Sequence, residues 1–173
     1  MQNRLWTLIG HRNVSYFQPT IHGDINGMRA CHERWRTLAF TFCDCFLGDK
    51  EKAATAAQDA FSAFLLDSRE TSNRGTPLML LQYAMGVALD QSSQETALAG
   101  SNELERTIPR LPPAERAIFI LRGVLDLSPF EAAVIGRTTS DEVHRLWTDS
   151  LLHLRDLWLN KNGEQPRNCL QNS

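Results

Sequence analysis

Two helix-start signatures lie close together in the stretch LSPFEAAVIGRTTSDEVHRLW, residues 127–147. Ser128 is followed by a proline and, three positions on, by Glu131, which is the pattern of an N-terminal capping box with proline in the first helical turn. Thr139 and Glu142 repeat the capping-box spacing, and a glycine suited to ending a helix lies between the two signatures. This part of the chain is therefore predicted to form two helices joined by a short turn, which is the outline of a helix-turn-helix.

The remainder of the chain also follows a helical period. Apolar residues recur at steps of three and four over residues 28–46, after which Gly48 and Asp49 mark the end of one helix and the start of the next. Alanine-rich residues 50–66 and apolar residues 77–90 predict two further helices. Since no segment shows sustained strand alternation, the predicted fold class is all-α, with two small helical domains of which the second is a helix-turn-helix.

A polar stretch separates the predicted helices into two groups. The division predicted from the sequence is an N-terminal arm (1–25), a first helical domain (26–92), a linker (93–102), a helix-turn-helix domain (103–159) and a polar tail (160–173).

Composition narrows the possible functions. Apolar residues make up 42% of the 173 residues, which is enough for a core, and the net charge of −2 excludes a strongly basic DNA-coating protein. Residues 102–159 alone hold seven arginines and nine acidic residues. No signal peptide and no run of about 18 apolar residues is evident, so we expect a cytoplasmic protein without membrane partners.

The sequence favours neither a metal site nor a catalytic one. A zinc site formed by Cys31, His32, Cys43 and Cys45 is conceivable, but Cys43 and Cys45 are two apart, and such residues point away from each other on a helix. Small buried thiols are the favoured interpretation. The histidines form no recognisable catalytic set, so we expect no enzyme activity and no cofactor.

Two motifs in order resemble one family. LERTIPRLPPAERAIFILRGVLDLSPFEAAVIG is similar to the fourth conserved region of bacterial RNA polymerase sigma factors, and the upstream FLGDKEKAATAAQDAF is similar to the second. Their order, their spacing and the chain length resemble the small two-domain extracytoplasmic-function sigma factors. The matching positions are Leu47, Gly48, Asp49, Glu51, Ala53, Gln58 and Phe61 in the first motif, and Leu111, Pro112, Pro113, Arg116, Phe119, Leu121, Arg122, Leu127, Ser128, Glu131 and Ala133 in the second.

The resemblance implies three contacts. The clamp of the polymerase β′ subunit would contact Gln58, Asp59 and Phe61. The helix of residues 77–90 would take up the promoter −10 element, with Tyr83 stacking on a base. The last helix would enter the major groove of the −35 element, and its candidate DNA-binding residues are Thr139, Ser140, His144, Arg145 and Thr148.

The chain departs from the family on the faces that would contact DNA. Residues 76–101 contain no lysine or arginine, and Asp149 would repel phosphate. Arg137 stands where the family has its turn glycine, which predicts an altered turn. The alternative function is therefore a degenerate sigma-fold protein that has lost promoter binding and acts through protein contacts, with an anti-sigma protein as one possible partner. A wide apolar stripe on the last helix supports this alternative, because it predicts burial against a further partner. The stripe comprises Val143, Leu146, Trp147, Leu151, Leu154 and Trp158.

Overall fold

The computed structural model describes residues 25–70, 76–92 and 106–161. The predicted arm (except Ile25), linker and nearly all of the predicted tail lie outside these residues. The described residues form α-helices and short helical turns and contain no strand, which confirms the all-α prediction. The helices are α1 (Ile25–Leu47), α2 (Lys50–Glu70), α3 (Pro77–Ser92), α4 (Pro113–Phe119), α5 (Pro129–Gly136) and α6 (Ser140–Lys161), with a 3-10 turn at Ile108–Arg110 and a π-helical turn at Ile120–Val124.

The first three helices pack against one another around the predicted apolar face of α1. Leu38, Phe42 and Phe46 are fully buried in this core. Gly48 ends α1 with a φ of +67°, a conformation that side chains other than glycine rarely adopt. Asp49 then caps α2, because its Oδ1 accepts hydrogen bonds from two backbone N–H groups of the first turn at 2.9 and 3.1 Å.

Helix α2 is longer than the sequence predicts. The alanine-rich pattern predicts a helix over residues 50–66, but the helix continues to Glu70. Asp67, in this extension, interacts with the hydroxyl of Tyr83 on α3 and thereby raises the pKa of Tyr83. Helix α3 begins at Pro77 as predicted, and the Thr76 hydroxyl accepts a hydrogen bond from Met79 N at 3.3 Å.

The helix that precedes the Ser128 capping box is not a regular α-helix throughout. Regular α-helix ends at Phe119, and the π-helical turn closes with a hydrogen bond from Leu125 N to Ile120 O of 2.9 Å. Trp147 packs against this turn, and a Cβ added at Gly123 would lie 3.1 Å from its ring. Glycine thus lets the turn approach the tryptophan closely.

The two capping signatures form the local structures predicted for them, with one difference. Ser128 and Glu131 make the complete capping box of α5. At the start of α6, Thr139 Oγ1 accepts from Glu142 N at 3.2 Å. The Glu142 carboxylate, however, binds Arg145 instead of reaching back to the cap.

Arg137 adopts the left-handed conformation at the turn between α5 and α6, with φ 49° and ψ 46°. The backbone N–H of Thr138 donates to Ala133 O at 3.0 Å, as in a glycine-terminated helix end. An arginine in this position carries a backbone strain that glycine would not. The altered turn predicted at Arg137 therefore keeps the geometry of a glycine turn.

Helices from both predicted domains share one buried core. Helix α3 contacts α5, and α1 contacts the 3-10 and π-helical turns that flank α4. Helix α6 packs on α4 and α5. The division into two domains stays a prediction, and in this packing the two parts are in direct contact. Within the described residues, no helix is long and apolar enough to cross a membrane.

Candidate nucleic-acid interface

The outward face of α6 is open to solvent. Its inward face is fixed by Val143 and Ser150, both fully buried, and by Trp147, which stacks on Phe119 with ring centroids 5.6 Å apart. This anchoring places the predicted DNA-binding side chains on or beside the exposed face. All five are exposed, namely Thr139, Ser140, His144, Arg145 and Thr148.

Two of the three hydroxyl-bearing candidates already make a hydrogen bond with α6 itself. Thr139 caps the first turn through its Oγ1, and the Thr148 hydroxyl donates to His144 O at 3.0 Å. The Thr139 hydroxyl only accepts in this contact, so its O–H can still donate to a phosphate oxygen, whereas the Thr148 hydroxyl has already given its one hydrogen to His144 O.

Arg145 is held by two carboxylates of its own helix. Its Nε and Nη2 donate to the two oxygens of Glu142 at 2.8 and 2.6 Å, and its Nη1 donates to Asp149 Oδ2 at 2.8 Å. The guanidinium thus makes a bidentate pair with Glu142 and a single hydrogen bond with Asp149. One cation faces two anions, so this part of the helix presents net negative charge to a nucleic acid.

The charge state of this cluster is firmly set. The hydrogen bond from Arg145 lowers the pKa of Glu142, so its carboxylate stays ionised well below neutral pH. The same hydrogen bond, with smaller contributions from Asp149 and Glu115, raises the pKa of Arg145. Reading a guanine edge through Arg145 would require its guanidinium to leave Glu142 first.

The apolar stripe of α6 is only partly covered. Val143 is buried, and Leu146, Trp147 and Leu154 are partly buried against the core. Leu151 and Trp158 remain 44% and 54% exposed. The chain by itself therefore leaves part of the stripe uncovered, and its burial against a further partner stays a prediction.

An ion pair joins the exposed His153 on α6 to Glu115 on α4. His153 Nδ1 lies 2.6 Å from Oε2 of Glu115, whose side chain is nearly buried. This hydrogen bond raises the pKa of His153, and Asp149 and Asp156 add to the effect. The pair fixes the angle between the two helices and lies beside the Arg145 cluster.

The predicted −10 residue, Tyr83, is not a free stacking platform. Its ring is partly buried and its hydroxyl is hydrogen-bonded to Asp67, which is the main cause that raises the pKa of Tyr83. The charge of Arg137 acts in the opposite direction, which places the α5–α6 turn near this ring. Base stacking would need the face of the ring to be uncovered.

The residues predicted to contact polymerase divide into exposed and packed groups. Gln58 and Asp59 are exposed on α2. Phe61 is partly buried, with its ring edge-on to His32 at 5.8 Å and close to Phe64 at 6.2 Å. A protein partner can therefore reach the two polar side chains directly and only part of the phenylalanine.

The cysteines among the described residues behave as small apolar groups. Cys43 is fully buried, and its pKa is raised to about 12, mainly by burial and also by Asp44. Cys45 is partly buried, and neither of these two thiols is in a disulfide. Within residues 25–70, 76–92 and 106–161, no group of histidine, cysteine and acidic residues is arranged to hold a metal ion.

Sequence reasoning missed two residues that hold the structure together. Arg116 was noted as a motif match, yet its buried guanidinium donates hydrogen bonds to the carbonyl groups of Phe46, Pro109 and Leu111. Gln82 donates to Val134 O at 2.8 Å. The signal that could have indicated this contact is a polar residue, Gln82, inside an otherwise apolar helix.

Comparison with known proteins adds no relative to this description. No protein-family model matches the chain, and no curated protein matches it.

Proposed function

We propose that the chain is a sigma-factor-like regulator of transcription initiation that binds core RNA polymerase and promoter DNA. The observation that carries the proposal is the exposed outward face of α6, which follows α5 and a short turn and bears all five candidate DNA-binding residues. A helix presented in this way has the geometry of a recognition helix in a major groove. The exposed pair Gln58 and Asp59 supports a separate protein contact on α2.

Core-polymerase binding tests the first part of this function. The purified chain is expected to co-elute with core RNA polymerase, and Asp59→Arg is expected to weaken that binding by about tenfold, because it reverses an exposed charge at the predicted contact. Glu33→Arg makes a comparable charge change on α1 and serves as the matched control. Absence of co-elution with the unmodified chain would remove polymerase from the proposal.

DNA binding tests the second part. Glu142→Gln removes the carboxylate that binds Arg145 bidentately, so it should raise affinity for promoter DNA and steepen the fall of affinity with salt by up to about one unit of log–log slope. Glu33→Gln is the control, since Glu33 also faces an arginine three residues away, Arg36, at 3.9 Å. Equal effects of the two substitutions would show that α6 does not approach DNA.

A second candidate function is favoured by the Arg145 cluster itself. Its arginine is satisfied by Glu142 and Asp149, and apolar side chains are exposed at Leu151 and Trp158 on the same helix. These features suit a protein that acts through protein contacts rather than through promoter recognition. If Arg145→Ala and Glu142→Gln both leave DNA binding unchanged while polymerase still binds, the second candidate is the better one.

A further inference from the structure

Arg122, in the π-helical turn, contacts both the segment that leads into α5 and the inward side of α6. Its Nη1 donates a hydrogen bond to the carbonyl of Leu127, the residue directly before the Ser128 cap of α5. Its guanidinium also lies over the ring of Trp147 on α6, 5.9 Å from the ring centroid, which is within the range of a cation–π contact. This one side chain therefore connects the start of α5 to α6.

The segment that leads into α5 is held in a strained conformation. Asp126 has a φ of 53°, in the left-handed region that costs free energy for a residue with a Cβ. The next residue, Leu127, is held at both of its backbone polar groups, because its N–H donates to Leu121 O at 3.0 Å and its carbonyl accepts from Arg122. Strained backbone persists only where surrounding contacts hold it, so Arg122 is one of the groups that fix where α5 begins.

The ring of Trp147 fixes the position of α6. It stacks on Phe119 of α4 with ring centroids 5.6 Å apart and 15° between the ring planes. A Cβ added at Gly123 would lie 3.1 Å from the same ring. The exposed candidate DNA-binding residues His144 and Thr148 lie within one helical turn of this tryptophan. A displacement of the ring would therefore displace both of these side chains.

The relative position of α5 and α6 decides what this region can contact. In a helix-turn-helix the first helix crosses the DNA backbone and the second enters the major groove. Phosphate contacts fix the register of the protein on the duplex, whereas base contacts provide sequence discrimination. A change in the angle between the two helices should therefore lower affinity for the preferred sequence more than affinity for other sequences.

We propose that Arg122 is a positioning residue for DNA recognition: by joining the Leu127 carbonyl to the ring of Trp147, it fixes α6 relative to α5 and determines sequence discrimination without contacting DNA itself. The inference rests on the proposed function, because it requires α6 to read promoter DNA. A planar guanidinium suits this role, since it can place one N–H on a carbonyl while its face lies over an aromatic ring.

Two variants test the contact. Arg122→Ala removes both interactions, and Arg122→Lys keeps the charge and a donor but loses the planar group. Arg110→Ala is the matched control, because it removes an exposed arginine from the turn before α4. Far-ultraviolet circular dichroism checks that each variant keeps its helix content. Near-ultraviolet circular dichroism reports whether the ring of Trp147 stays in place, and Trp147→Phe identifies the signal of that ring.

DNA binding is measured for the full-length chain together with core RNA polymerase. One duplex is selected by the unmodified complex from a pool of random sequences, and a second duplex of the same length is left unselected. The ratio of the two affinities measures discrimination, and the change of affinity with salt reports the number of phosphate contacts. Losing the equivalent of one base contact should lower the ratio about tenfold in Arg122→Ala and about threefold in Arg122→Lys. Arg110→Ala should leave the ratio unchanged.

Three outcomes decide whether Arg122 is a positioning residue. Loss of the Trp147 signal together with loss of discrimination, at an unchanged salt slope, supports this role. Equal weakening on both duplexes with a fall of about one unit in the salt slope would mean that Arg122 binds a phosphate, and it overturns the inference. Unchanged discrimination in both variants also overturns it, because Arg122 would then act in folding alone. If Arg122→Ala loses its helix content, Arg122→Lys decides by the same criteria.

Failure of the proposed function gives a different result. If the unmodified chain adds no sequence preference to that of core polymerase alone, the DNA-binding function fails and the inference fails with it. If the unmodified chain selects a duplex and the Arg122 variants discriminate equally well, only the inference fails and the proposed function stands.

Discussion

Arg116 and Arg145 are both multiply hydrogen-bonded, but they lie in opposite environments. Arg116 is 7% exposed and donates to main-chain carbonyls of three separate residues, including Phe46 on α1. Arg145 has a side chain 58% exposed and binds carboxylates of its own helix. The hydrogen bonds from Arg116 to these carbonyls are buried, whereas the carboxylates around Arg145 can return to water.

This difference distinguishes an arginine that holds the fold together from one that is available for binding. Removing a buried donor leaves acceptors unsatisfied in a medium that cannot replace water, and that cost is large. Exposed ion pairs within one helix contribute little to folding. We therefore expect substitutions at Arg116 and its neighbours to change the free energy of unfolding, and substitutions on α6 to change binding.

The largest expected effect comes from Arg116→Ala. It removes the donor for three carbonyls and the contact with the Phe46 ring, so we expect a loss of about 3 kcal/mol in the free energy of unfolding. Urea denaturation followed by circular dichroism measures it. Arg145→Ala is the comparison and should leave the denaturation midpoint nearly unchanged. Similar losses for the two variants would contradict the distinction between the buried Arg116 and the exposed Arg145.

The second largest effect on stability is expected from Gly48→Ala. The residue has a φ of +67°, and the new Cβ would come within 2.8 Å of Pro109 Cγ, so backbone strain and overlap should together cost about 2 kcal/mol. Gly86 on α3 is the matched control, since an added Cβ there meets nothing within 4 Å. Gly86→Ala should stabilise the helix by about 0.5–1 kcal/mol, and thermal denaturation of both variants gives the two signs.

The sequence predicts local structure here better than it predicts the arrangement of helices. The Ser128 and Asp49 caps and the end of α1 at Gly48 follow from short patterns, because capping uses residues two or three positions away. The α3–α5 contact joins Gln82 to Val134, 52 positions apart, and no local pattern specifies it. The close packing of Trp147 on Gly123 likewise joins residues far apart in the chain.

The sequence predicts where the candidate interface lies, but the pairing of its charges was not predicted. Helical period alone places His144, Arg145 and Thr148 away from Val143, and all three are exposed. The engagement of Arg145 by Glu142 and Asp149 follows from the three- and four-residue spacing. It was nevertheless missed, because Glu142 was assigned to the capping box, and two local patterns competed for one carboxylate.

Arg137→Gly tests the turn that presents α6. Glycine adopts φ 49° without the steric cost that a Cβ brings, so the substitution should stabilise the fold by up to about 1 kcal/mol. Arg137→Ala removes the same charge but keeps the Cβ, and it should give no such gain. If alanine stabilises as much as glycine, the effect comes from the charge of Arg137 near Tyr83 rather than from the backbone.

The smallest effect is expected for the ion pair between α4 and α6, and it should depend on pH. Glu115 raises the pKa of His153 in the folded state above its unfolded value of about 6.5, and Asp149 and Asp156 act in the same direction. The stabilisation by this pair is therefore complete below the unfolded pKa and is lost as pH rises through the folded one. His153→Gln should consequently reduce stability more at pH 5.5 than at pH 8, as measured by urea denaturation at both values. His144→Gln, nine positions earlier on the opposite side of the same helix, should show no such dependence, and an equal pH response of the two variants would mean that the pair does not connect α6 to α4.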